Sequence, residues 1–140
     1  MNVLEAARDN HIVLFFYPGD REGLRYGELS GCSVEGRDFR DNVAVLEDLA
    51  VAVYGVSLHT TERQREFVER ERLDFELLSD HEKRLTAALG VPLWISDDGE
   101  EFTSRNTILA AKGGTVAAVF ANVESAGHVD QVIAAARSLA

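Results

Sequence analysis

The chain has 140 residues, 46% hydrophobic and 27% charged, which is the balance of one globular domain long enough to bury a core. Its formal net charge of -10 repels phosphate, so nucleic acid and anionic membrane surfaces are excluded as natural partners. No apolar run approaches the roughly 18 residues needed to span a bilayer, and charged residues interrupt the first sixteen positions, so these do not read as a leader. A single cysteine cannot form an internal disulfide, and a reducing, cytoplasmic compartment is the expectation.

The run Ile12–Tyr17 (IVLFFY) is continuously apolar, as in a strand buried on both faces of a sheet, and Pro18-Gly19-Asp20 ends it. A polar, glycine-containing loop then leads to Gly31. From Ser33 the pattern turns helical, with Phe39, Val43 and Leu46 on one face. Ala50–Val56 is the next buried strand, and Thr61 with Gln64 forms a capping box that opens a helix to about Arg72. A short strand over Phe75–Leu78 and a short helix over Glu82–Leu89, stopped by Gly90, follow. Phe102–Ala111 reads as a strand, Lys112-Gly113-Gly114 as a turn and Thr115–Phe120 as the returning strand of an antiparallel hairpin. The last helix runs from about Ser125 to Leu139 and buries Val129, Val132, Ile133 and Ala136. This order is the thioredoxin-like α/β order, with a central mixed sheet and helices on both faces.

The only cysteine, Cys32, follows the loop after the first core strand and immediately precedes a helix. The carboxyl end of a strand is where an α/β sheet places its chemistry. A helix N-terminus also offers unpaired N–H groups and a positive dipole end, both favourable to a thiolate. An ordinary thiol with a pKa of about 8.5 is only about 3% ionised at neutral pH. Lowering that pKa by two units takes about 2.7 kcal/mol, whereas a helix terminus supplies about 0.3–1 kcal/mol and at most about 2. A second source, such as a guanidinium, is required. A lone cysteine also fits a second reading, as a small buried hydrophobe.

Six segments in order carry a family resemblance: Val13–Pro18 (VLFFYP), Gly31–Asp41 (GCSVEGRDFRD), Tyr54–Ser57 (YGVS), Phe75–Asp80 (FELLSD), Leu89–Val91 (LGV) and Arg105–Leu109 (RNTIL). Together they resemble the peroxiredoxins, most nearly the Q-type, or bacterioferritin-comigratory, branch. The resemblance implies that Cys32 is the peroxidatic cysteine and that Arg105 is the guanidinium beside the thiolate and the peroxide. It implies too that Pro18 shields the sulfur from water. The family usually has Thr three residues before the cysteine and Pro two before it; here those positions are Leu29 and Ser30. Leu29 cannot hydrogen-bond a peroxide, so Ser30 or Ser33 is the candidate to do so. The loop before Cys32 is longer than the common form, and the strands that usually precede the first core strand are short or missing. Many Q-type members hold a resolving cysteine five residues after the first; here that residue is Arg37.

The implied activity is a thiol-dependent peroxidase for hydrogen peroxide or organic hydroperoxides. With no internal resolving thiol, the reductant must be external: thioredoxin, glutaredoxin or a low-molecular-weight thiol. No metal or organic cofactor is implied, and the protein is expected to be a monomer or a homodimer. The four histidines, His11, His59, His81 and His128, lack ligand spacing and read as surface or capping residues. The alternative function is a catalytically degenerate thioredoxin-fold module acting in binding or redox sensing. A thioredoxin-type reductase is disfavoured because no Cys-x-x-Cys is present.

Overall fold

The computed structural model describes residues 8–17, 31–95, 99–121 and 127–139, without the side chains of residues 31–35 and 94. Among these, five strands form one mixed sheet in the order β3-β2-β1-β6-β7: Glu76–Ser79, Val51–Ser57, His11–Phe16, Asn106–Ala110 and Val116–Phe120. β1 runs parallel to β2, and β2 parallel to β3. β6 is antiparallel to both β1 and β7. The helices are α1 (Gly31–Asp41), α2 (Val43–Asp48), α3 (Thr61–Glu71), α4 (Arg84–Ala88) and α5 (His128–Arg137). The fold is thioredoxin-like.

The continuous apolar run of β1 has the expected consequence: both of its faces are buried. Val13, Phe15 and Tyr17 point into a core shared with Phe39 of α1, Leu46 of α2, Phe67 of α3 and Val129, Val132, Ile133 and Ala136 of α5. Ile12, Leu14 and Phe16 point to the opposite face, where Leu85 and Leu89, in and just after α4, pack against them. The stripe expected for the last helix is thus buried in full.

Four sequence expectations need correction. The helix-opening cap is Thr60, not Thr61: Thr60 is extended, and its hydroxyl accepts from the Arg63 amide at 3.3 Å. Gln64 is not the far side of a capping box. It is buried, and its Nε2 donates to Ser57 Oγ at 2.9 Å and to the Leu78 carbonyl at 2.8 Å, tying α3 to β2 and β3. The helix read onward from Ser33 is interrupted at Asn42, whose Nδ2 donates to the Asp38 carbonyl and ends α1. The segment 102–111 is two strands. Glu101–Thr103 (β5) pairs with Leu93–Ile95 (β4) as a separate two-stranded ladder, and β6 starts only at Asn106. At the break, the Ser104 amide donates to the Pro92 carbonyl at 2.8 Å, and Thr103 Oγ1 donates to the Tyr17 carbonyl at 3.0 Å. The chain therefore crosses from one ladder to the other at Ser104-Arg105.

Candidate active site

β1 delivers the chain to one end of the sheet at Tyr17, and α1 opens at Gly31 with Cys32 as its second residue. The first turn of α1 carries no acidic residue, so no carboxylate within that turn offsets the positive end of the helix. The helix is seated by residues further along. Phe39 is fully buried and stacks on Phe15 with ring centroids 4.5 Å apart and planes 10° from parallel. Gly36 faces the Phe67 and Leu73 side chains, where a Cβ would make ordinary van der Waals contact at 3.4 Å, so α1 lies directly against α3 and the residues that end it.

Arg37 lies on α1 five residues after Cys32. Its Nε donates to Glu71 Oε1 at 2.6 Å, and Arg70 Nε donates to Glu71 Oε2 at 2.9 Å. Arg40 Nη1 adds a bond to the Glu71 carbonyl at 2.8 Å. The Glu71 side chain is only 4% exposed, whereas Arg37 is 42% exposed, so the carboxylate is the buried partner and α1 is fastened to the end of α3 through it. Because the arginines keep water access, Glu71→Ala is expected to destabilise by about 1–2 kcal/mol rather than the larger cost of stranding a buried charge. That corresponds to a melting temperature lower by roughly 3–8 °C. An unchanged melting curve in scanning calorimetry would contradict this anchoring.

Arg105 stands between β5 and β6, one residue before Asn106, which pairs with Phe16 of β1. It is thus at the end of the sheet from which the chain leaves toward Cys32. Two residues further on, Thr107 bonds His128 of α5, and Leu109 joins the core that α1 and α5 cover. Arg105 is partly buried, and its charge acts on His128. Pro18 and Ser30 lie outside the described residues, as do the side chains of Cys32 and Ser33.

Two histidines expected at the surface or in caps are buried. His59 is 6% exposed, edge-on to Phe102 at 6.1 Å, with Nε2 3.8 Å from Glu100 Oε1. His128 is 2% exposed and packs edge-on against Phe39 and Phe120. Its Nε2 lies 2.7 Å from Thr107 Oγ1, and its Nδ1 lies 3.2 Å from Gln131 Oε1. The strand hydroxyl and the helix amide that take these bonds are distant or cryptic in sequence, and no motif marked either histidine. Burial holds the His128 pKa below its ordinary value of 6.5; the Gln131 bond opposes this and the Arg105 charge adds to it.

A thioredoxin-like fold with a cysteine opening the helix after the first core strand, and an arginine at the start of the neighbouring antiparallel strand, defines a class of thiol-based redox proteins. Comparison with known proteins specifies it further: the model of the AhpC/TSA family matches residues 3–119, and the chain belongs to that family. Peroxiredoxin Bcp of Bacillus subtilis is 31% identical over 128 residues, covering 90% of this chain and 77% of the relative. Among solved structures, peroxidoxin BcpB of Mycobacterium tuberculosis superposes with a TM-score of 0.83 at 26% identity, covering 99% of this chain and 85% of that one. The bacterioferritin comigratory protein of Xanthomonas campestris, described with alkyl peroxide reduction activity, gives 0.84 at 26%, covering 98% and 83%. The protein is a Q-type peroxiredoxin, a thiol-dependent peroxidase that takes a peroxide and a thiol reductant. Among the described residues, no helix is long and apolar enough to cross a membrane.

Proposed function

We propose that Cys32 is the peroxidatic cysteine and that Arg105 stabilises both its thiolate and the peroxide during attack. What supports this reading is that Arg105 immediately precedes Asn106, which pairs with Phe16 at the end of β1, while α1, whose second residue is Cys32, packs on β1 through Phe39. The thiolate sulfur attacks one peroxide oxygen, forming an S–O bond as the O–O bond breaks. Sulfur is oxidised by two electrons and the peroxide is reduced; the departing alkoxide or hydroxide takes a proton and leaves as alcohol or water. The cysteine is left as a sulfenic acid. Arg105 supplies a permanent charge and several donors, which a lysine only partly replaces. In this reading Pro18 shields the sulfur, and the hydroxyl of Ser30 or Ser33 donates to the peroxide in place of the usual threonine.

The chain has no second cysteine, so an external thiol attacks the sulfenic sulfur and expels water. A second thiol then releases Cys32 as a thiol and leaves with the first as a disulfide. Thioredoxin, glutaredoxin or a small cellular thiol fits this role. All 140 residues are taken as one domain, acting in the cytoplasm as a monomer or homodimer.

Rapid mixing with hydrogen peroxide, followed by mass analysis of the Cys32 peptide, tests the assignment. One added oxygen at Cys32 should appear with the fast phase. Arg105→Ala should slow that phase by about 10²–10³-fold, the usual effect of removing one donor from a developing oxyanion, and Arg105→Lys should slow it less. An unaltered rate in Arg105→Ala would remove Arg105 from the site.

A further inference from the structure

His128 is a buried titratable side chain that the peroxidase reaction, as written, does not use. Its surroundings are specific. Gln131 presents an amide oxygen to Nδ1, and an amide oxygen only accepts, so Nδ1 carries the ring proton. Nε2 is then the acceptor, and the Thr107 hydroxyl donates to it at 2.7 Å. The ring is neutral and in one tautomer. It wedges between Phe39, on the helix that carries Cys32, and Phe120 of β7. Thr107 is the second residue of β6, two residues beyond Arg105.

We infer that His128 is a positioning residue for the peroxide site: through Thr107 it fixes the start of β6, and with it Arg105, against the helix of Cys32. The inference rests on the reading of Cys32 and Arg105 given above. The arrangement favours the neutral ring. A protonated Nε2 must donate to the Thr107 oxygen instead of accepting from it, which turns that hydroxyl, and it sets a second positive charge against the guanidinium. Four charged groups lie around this region. Arg105, just before β6, opposes protonation. α1 contributes Asp38, which accepts from the Gly127 amide, and Asp41; α5 contributes Asp130, whose charge, like that of Asp41, acts on Asp38. The described residues of β7, Val116–Phe120, carry no titratable side chain.

The sign of the pH dependence follows. The folded protein holds the ring neutral to lower pH than the unfolded chain does, so fold stability from this site is full above about 6.5. It is lost as the pH falls below that value toward the lowered native pKa. Within the folded protein, kcat/KM should need two deprotonated groups, the Cys32 thiol and the His128 ring. On the acid side log kcat/KM should therefore steepen to a slope approaching about 2.

The test uses the full chain with hydrogen peroxide and dithiothreitol between about pH 5 and 8, with circular dichroism at each pH. His128→Gln presents an amide oxygen to Thr107 and cannot be protonated. It should keep most of the neutral-pH kcat/KM and return the acid slope to about 1, whereas His128→Phe, which offers no acceptor, should lose activity at every pH. In parallel, the histidine resonance that His128→Gln removes is titrated by NMR in the wild type and in Arg105→Gln. Removing the arginine should raise that pKa, because the coupling between the two sites is reciprocal. Parallel pH profiles in the wild type and His128→Gln, an activity loss that only follows unfolding, or an unmoved histidine pKa in Arg105→Gln would each overturn the inference. An inactive wild type would instead sink the Cys32 and Arg105 reading, and this inference with it. If the glutamine variant fails to fold, the Arg105→Gln titration decides alone.

Discussion

Cys32→Ser is expected to abolish peroxide turnover while leaving the fold in place. Serine replaces one atom with a smaller one of the same valence, and Cys32 sits in the first turn of α1, where no regular helical hydrogen bond depends on its side chain. The chemistry, by contrast, depends entirely on that atom. Thiolate sulfur is the nucleophile, and a serine hydroxyl without an adjacent base stays protonated and inert at neutral pH. With no second cysteine in the chain, no other thiol can take over. Turnover assayed with excess dithiothreitol should fall to the uncatalysed rate, while the melting temperature moves by no more than about 2 °C, as for a nearly isosteric change. Residual turnover above that background would move the reaction to another group.

Phe39→Ala is expected to be the most damaging core substitution at the site. Phe39 is fully buried, stacked on Phe15 and edge-on to His128, so three elements meet on one ring. Truncating a buried phenylalanine removes its transfer free energy and leaves a cavity, for a total of about 3–5 kcal/mol. That is a large part of the roughly 5–15 kcal/mol available to a domain. Urea unfolding should show the full loss, and the melting temperature should drop by roughly 10–20 °C. The consequence for function is separate from the loss of folded protein. α1 would lose its seat on β1, and the helix end proposed to stabilise the thiolate would fray. Alkylation of Cys32 by iodoacetamide should then titrate at a higher pH in the surviving folded fraction. A cost under about 1 kcal/mol would mean that α1 is held by other contacts, with the Arg37–Glu71 pair first among them.

Much of this architecture is legible in the chain because it is written in local periods. The run from Ile12 to Tyr17 admits no solvent face, and β1 is buried on both sides. The spacing of Val129, Val132, Ile133 and Ala136 leaves one helical face for the core, and that is the face α5 buries. The glycines at 113 and 114 take φ of +98° and +97°, which a turn between two antiparallel strands accommodates and side chains resist. The position of Cys32 after the β1 run and at the opening of an amphipathic helix is likewise legible, because a strand and a helix each have local signatures. Those features depend on neighbours within a few residues.

What only the tertiary structure decided depends on groups far apart in the chain. The three residues of β4 show no period of their own and become a strand only by pairing with β5. That pairing breaks the apparent strand at Ser104, and the break puts Arg105 one residue before Asn106, at the end of the sheet where β1 also ends. Gln64 looks like a capping residue until the interior supplies Ser57 and Leu78 as its partners. Glu71 looks like a solvated helix charge until Arg37 reaches it from 34 positions away. His128 looks like a surface residue beside a helix start until Thr107, from another strand, gives its ring a bond that repays burial. A polar side chain enters a core only when a distant partner is there to satisfy it, and the order of residues alone does not say which partners the fold will bring.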